Sequence, residues 1–193
     1  PKGRKAGDLK EFWHFGQYLE KNDLNLIYPD NIIISEIPKF NEIGKKAYQL
    51  LEKTALQVLR GIASYLELEE KYFDGYIKNG NSILRPIHYP PILEEPKKTE
   101  RAAAHGDINL ITLLMGAQGR GLQVKNNSGQ WIDAIAEEDE LMINIGDMLS
   151  RHTNNRLKST IHRVINPVKK HLENLDIPSP FLCIPWLSCR LTV

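Results

Sequence analysis

Ala104-His105-Gly106-Asp107-Ile108-Asn109-Leu110-Ile111-Thr112-Leu113-Leu114 joins a His-x-Asp pair to an apolar run of strand character. A second histidine motif, Lys158-Ser159-Thr160-Ile161-His162-Arg163-Val164, places His162 55 residues after Asp107. In an extended segment residues i and i+2 point to the same side, so His105 and Asp107 can reach one point. A third ligand from a distant strand, for which His162 is a candidate, would complete a two-histidine, one-carboxylate face on a metal. Such a face leaves the opposite coordination positions open, which Fe(II) needs to take a cosubstrate and oxygen together. A His-x-Asp pair also arises by chance in a chain with six histidines. His14, His88, His152 and His171 read as ordinary surface or core histidines.

Outward from this stretch, the chain after Asn81 has the texture of short strands separated by turns. Residues 83–89, 108–114, 121–124, 131–135, 141–145 and 159–165 are the candidates, and Asn126-Asn127-Ser128-Gly129 between two of them is hairpin chemistry. With no helical crossovers between them, the strands predict an antiparallel sandwich or barrel. Upstream, Phe40, Ile43, Ala47, Leu50, Leu51, Ala55, Val58, Leu59, Ile62, Ala63 and Leu66 recur at helical steps. Pro38 stands near the start, where its missing N–H costs little. This is one long amphipathic helix laid on a flat apolar surface, followed by a shorter one over 69–77. The first 37 residues read as irregular, and Phe12, Trp13 and Phe15 read as packing residues. The mainly-β chain then divides into an irregular and helical part, 1–80, and a β core, 81–193.

Charge is balanced, 25 Lys+Arg against 24 Asp+Glu, so no broad basic field is present for nucleic acid or an anionic membrane. Apolar runs such as Ile32-Ile33-Ile34 fall far short of the roughly 18 residues of a membrane span. Cys183 and Cys189 make neither a disulfide framework nor a zinc-ligand spacing. The basic start, Pro1-Lys2-Gly3-Arg4-Lys5, lacks the apolar stretch of a signal peptide. A cytoplasmic protein with a small-molecule substrate, and neither nucleic acid nor membrane as partner, is the expectation. Oligomeric state is not legible.

From Asn81 to Pro167 the chain resembles the Fe(II)- and 2-oxoglutarate-dependent oxygenases, in the branch related to isopenicillin N synthase. Leu84-Arg85-Pro86-Ile87-His88-Tyr89-Pro90-Pro91 carries the resemblance first, then Ala104-His105-Gly106-Asp107 and Leu110-Ile111-Thr112-Leu113-Leu114. Gly121-Leu122-Gln123-Val124, Ile143-Asn144-Ile145-Gly146-Asp147-Met148-Leu149 and Asn155-Arg156-Leu157-Lys158-Ser159-Thr160-Ile161-His162-Arg163-Val164-Ile165-Asn166-Pro167 follow in order. The resemblance implies a double-stranded β-helix, or jelly roll, flanked by the long helix, with iron held by His105, Asp107 and His162. It implies 2-oxoglutarate and O2 as cosubstrates, a small-molecule C–H bond as the target, and succinate and CO2 as coproducts. Tyr89 matches a family tyrosine that hydrogen-bonds 2-oxoglutarate; a packed strand tyrosine is the plain alternative. Members carry about a hundred residues before the point where this chain starts, so Pro1 is expected not to be the native N-terminus.

The pattern fails at one place. The family places Arg-x-Ser on a late strand, where the arginine's planar fork holds the far carboxylate of 2-oxoglutarate. Here Asp176 and Pro178 stand at those positions. Losing charged hydrogen bonds costs about 1.5–3 kcal/mol each. Two carboxylates about 4 Å apart add repulsion of order 4 kcal/mol at an effective dielectric near 20. Arg85 or Arg190 could substitute from another strand. A one-base shift explains the letters better: permitted codons for Leu175 to Pro185, read one nucleotide earlier, spell Arg-Tyr-Ser-Ile-Pro-Phe-Phe-Met-His-Pro, the family strand. The segment 168–193 is therefore suspected of lying out of frame, although residues 181–187 can pair as a strand by composition. Two alternatives stay open: an isopenicillin N synthase-like oxidase that uses no 2-oxoglutarate, or a catalytically impaired metal-binding protein.

Overall fold

The computed structural model describes residues 7–18, 29–78, 80–90, 92, 99–115, 121–137, 139–166 and 184–186, the last three by their backbone alone. Helix α1 spans Pro38–Tyr65, with the proline in its first turn, and ends where Glu67 turns to a positive φ of 60°. Its buried stripe is Gly44, Tyr48, Leu51, Ala55, Leu59 and Ala63. Ile43 and Leu50, counted with the apolar face from sequence, are 65% and 58% exposed. Each stands one residue, about 100° around the axis, from a buried position, and the stripe is too narrow to include it. Small residues set that stripe's close approach. A Cβ on Gly44 would overlap the buried ring of Phe15. Helix α2 covers only Asp74–Ile77, shorter than the expected 69–77, and Arg60 of α1 holds Asp74 through two hydrogen bonds.

The segment before α1 is more ordered than its sequence promised. It contains β1, Glu11–Phe12, and β2, Phe15–Gly16. The expected strand at 83–89 is two strands, β3 (Ile83–Arg85) and β4 (Ile87–His88), because Pro86 has no N–H to give a ladder. Its carbonyl accepts the Trp13 N–H at 3.1 Å, while β1 pairs with β4 and β2 with β3. Trp13 and Phe15 both pack against Phe40, as read from sequence, whereas Phe12 is 52% exposed and stacks on His14.

Strands β5 (Ala102–His105), β6 (Ile111–Met115), β7 (Leu122–Lys125), β8 (Trp131–Asp133) and β9 (Leu141–Ile145) follow. Helix α3 (Asp147–His152), β10 (His162–Val164) and β11 (Ile184–Trp186) complete the described elements. The β7–β8 turn is the expected hairpin, with Gly129 at φ 82° and the Asn126 N–H donating to the Gln130 carbonyl. One sheet has the order β5-β10-β7-β8; facing it are the β6–β9 pair and the sheet β11-β3-β2, with β11 running beside β6. All pairings among the described residues are antiparallel. These two layers are the jelly-roll arrangement, and α1 covers the outer face of the second.

Strand β6 shows why its sequence is a continuous apolar run. Ile111 and Leu113 point into the core beneath α1, and Thr112 and Leu114 point into a cavity between the layers. No helix among the described residues is long and apolar enough to cross a membrane.

Candidate metal centre

His105 is the last residue of β5, and antiparallel register sets it directly opposite His162 of β10. The imidazole centroids lie 4.4 Å apart. Asp107 is in the loop beyond the strand, not on it, so the alternation argued from sequence is not what aims its carboxylate. The loop does so: the Asp107 carbonyl accepts the Asp147 N–H at the start of α3 at 2.7 Å. Gly106 has little room for a side chain, since a Cβ there would sit 3.3 Å from the Asp147 carboxylate. Asp107 Oδ1 ends 3.9 Å from His105 Nε2 and 3.7 Å from His162 Nε2.

One ligand atom from each of the three residues lies within 4.8 Å of the others. A point roughly 2–2.5 Å from all three atoms exists, close to the distance at which first-row metals bind nitrogen and oxygen. The donor set therefore fits a divalent ion of this class, and two further observations support the fit. Each imidazole has its Nδ1 against a carbonyl, His105 on Ala103 at 2.6 Å and His162 on Thr160 at 3.2 Å. The Nδ1–H is thereby the donor, and the Nε2 lone pair faces the shared point. Burial is the main cause that pushes the His162 pKa down, with His105 adding to it against Asp107, so this ring stays neutral and ready to ligate.

The carboxylate is divided in the same way. Oδ2 of Asp107 accepts the Thr112 hydroxyl at 2.6 Å and the Asn144 amide at 3.2 Å, leaving Oδ1 toward the histidines. Thr112 in turn accepts from the Asn109 amide at 2.8 Å. Thr112 and Asn144 are register partners across β6 and β9, which puts both beneath Asp107. Neither was singled out from sequence. Their signal is visible only once the β6–β9 register is known. Gly146 closes this support: a Cβ there would overlap the Asn109 backbone, and its N–H donates to the Leu110 carbonyl at 2.9 Å.

The triad faces a cavity of about 690 Å³ between the two layers. Its walls are mostly apolar, with Ile87, Leu114, Leu122, Val124 and Val164 among them. Tyr89 lines it while only 3% exposed, packed with Ile87, Leu114 and Val164. Tyr89 is thus a packed residue at the cavity wall, one position beyond β4. Burial pushes its hydroxyl up to about 12 against the neighbouring Arg101, whose guanidinium stands 5.4 Å from the ring centroid. The phenol is a proton donor at neutral pH.

Arg85 also lines the cavity; its Nε donates to His14 Nε2 at 2.7 Å. His88 pairs with Glu11, and His152 sits among Tyr72, Phe73 and Tyr76, so these three histidines have roles away from the triad. His171, Asp176, Pro178, Arg190 and both cysteines lie outside the described residues, as does all but the β11 backbone of the suspect segment. Residues 184–186 do pair, with β3, as their composition allowed.

The model of the 2OG-Fe(II) oxygenase superfamily matches residues 80–178. The 2-oxoglutarate-Fe(II) type oxidoreductase hxnY of Emericella nidulans is 36% identical over 160 residues, covering 81% of this chain and 45% of that protein. A 2-oxoglutarate-dependent dioxygenase of Monascus ruber is 37% identical over 144 residues, 72% of this chain and 44% of its own. Among solved structures, a 2OG-Fe(II) oxygenase family protein from Caulobacter crescentus superposes with a TM-score of 0.81 at 42% identity, over 98% of this chain and 60% of that one. A Neurospora crassa protein solved with alpha-KG and thymine gives 0.80 at 29% identity, over 97% and 56%. The chain spans about half the length of the curated relatives it matches. Those relatives and the facing sheets agree on one family, which works with Fe(II) and 2-oxoglutarate: the chain belongs to the 2OG-Fe(II) oxygenase superfamily.

Proposed function

We propose that the protein is a cytoplasmic Fe(II)- and 2-oxoglutarate-dependent oxygenase that oxidises a C–H bond of a small molecule, with His105, Asp107 and His162 as iron ligands. The observation that carries this is the triad at a mostly apolar cavity, with the second polar atom of every ligand already engaged. Iron would bring 2-oxoglutarate and O2 together, with O2 as the oxidant: two of the electrons it takes up would come from oxidation of 2-oxoglutarate to succinate and CO2, and two from the substrate C–H bond. The chain's own part is to bind, orient and exclude water. The Nδ1 bonds fix both imidazoles, Thr112 and Asn144 fix the carboxylate, and the apolar walls admit a largely neutral substrate away from bulk solvent. Tyr89 is proposed to donate its hydroxyl proton to a cosubstrate carboxylate. The small-molecule class agrees with the thymine held in the Neurospora crassa complex, which is a property of that protein.

The division into 1–80 and 81–193, and an out-of-frame segment from about residue 168, belong to the same proposal. Resequencing the codons for Pro167 to Glu173 tests the frame: if no one-base shift restores Arg-Tyr-Ser, that part is wrong. Activity is tested by assaying succinate from 2-oxoglutarate with Fe(II) and oxygen, for the chain as given and for the frame-repaired chain. Succinate from the repaired chain alone is the expected outcome. Asp176 and Pro178 favour a second reading, an oxidase without 2-oxoglutarate. Substrate oxidation by the given chain with no succinate would establish it, and iron binding without any oxidation would establish the impaired protein.

A further inference from the structure

The segment carrying Asp8 to His14 forms one wall of the cavity. Asp8 and Lys10 both line it, and their carboxylate and ammonium pair at 3.0 Å with side chains only 23% and 18% exposed. The segment is fixed to the strand that carries His105. Asp8 Oδ1 accepts the Ala103 N–H at 3.4 Å, and the Leu9 N–H donates to the Glu100 carbonyl at 3.2 Å. Asp8 lies within electrostatic reach of His105, and Lys10 within reach of His162. The pair sits on a wall whose neighbours include Ile87, Leu114, Met142 and Val164. A few convergent polar groups in an apolar cavity are the usual means of orienting a ligand.

We propose that the Asp8–Lys10 pair is a specificity-determining subsite, and that the primary substrate presents to it an amide-type edge, a C=O beside an N–H. The ammonium has three donors, of which one goes to Asp8, and a carboxylate accepts several bonds. Lys10 donates to the substrate carbonyl and Asp8 accepts from the adjacent N–H. A lone carboxylate meets repulsion from Asp8, and a lone cation meets repulsion from Lys10. A neutral edge with donor and acceptor side by side satisfies both. This subsite rests on the reading of the cavity as the oxygenase active site.

The test is calorimetry under argon on the Fe(II)-loaded full chain, with glutarimide, N-methylglutarimide and glutarate as probes. Glutarimide is expected to bind. N-methylation, Lys10→Met and Asp8→Ala are each expected to weaken it at least tenfold, and glutarate to bind more weakly than the imide. Lys10→Arg keeps a donor and is expected to retain binding within about threefold, which guards against a misfolded Lys10→Met. Absence of glutarimide binding, or equal binding by the parent chain and Lys10→Met with iron present in both, overturns the subsite alone. Failure of the parent chain to take up iron overturns the oxygenase reading and the subsite with it.

Discussion

Two sides of the cavity are built on different terms. On the triad side every ligand has its second polar atom tied to a named partner: Ala103 for His105, Thr160 for His162, Thr112 and Asn144 for Asp107. On the other side, residues 8–14 lie against β4 and β5 through a two-residue pairing and a few bonds, presenting Asp8 and Lys10 to the cavity. The first side must hold a fixed ligand geometry, so its neighbours are buried and their atoms are shared out. The second has only to meet a substrate, and a short edge pairing is enough. On the proposed reading, chemistry and recognition are carried by separate parts of the chain.

Asp107→Ala should break the triad side outright. It removes one of three ligands and leaves Thr112 and Asn144 facing an empty space; iron affinity is expected to fall by at least a thousandfold in an Fe(II) titration, with the fold retained by circular dichroism. Gly146→Ala attacks the same side from beneath. Its Cβ overlaps backbone that cannot rotate away, and about 3 kcal/mol or more of unfolding free energy should be lost in urea. Thr112→Val keeps the shape but strips the Asp107 carboxylate of its short hydrogen bond. A supporting partner of this kind is worth about 10–100-fold in metal affinity. The same titration should show that loss, with about 1–3 kcal/mol of unfolding free energy lost in urea because the buried Asn109 amide and Asp107 Oδ2 lose a partner.

Gly44→Ala lies far from iron and sharpens the contrast. Filling the space against Phe15 costs about 1–3 kcal/mol, offset by about 1 kcal/mol of helix propensity. A stability loss with unchanged iron affinity is expected; a loss of iron affinity would show that α1 packing governs the triad.

The ends of the molecule's logic were legible to different depths. A lone His-x-Asp pair arises by chance, so His105, Asp107 and His162 stand out in the sequence only through the ordered series of motifs they sit in; α1 is visible because 28 residues sustain one period. Strand β9 fell on its expected residues because its run is bounded by charge on one side and Gly146 on the other. Strands β1 and β2 have two residues each, too few for any period, and their order comes from pairing with β3 and β4. Helix α3 has six residues, and its only sign was Asp147 in the first turn with Arg151 and His152 in the last. Thr112, Asn144, Asp8 and Lys10 gain their roles from register and chain crossing, which no window of sequence contains.

The most direct measurement is an anaerobic Fe(II) titration of the chain as given, beside His162→Ala. One iron per chain, lost in the variant, is the expected result. For the frame-repaired chain, adding 2-oxoglutarate should then raise the visible charge-transfer band of the iron chelate. Iron bound equally by the parent and by His162→Ala, or not bound by the parent, would contradict the assignment of His105, Asp107 and His162 as the metal centre.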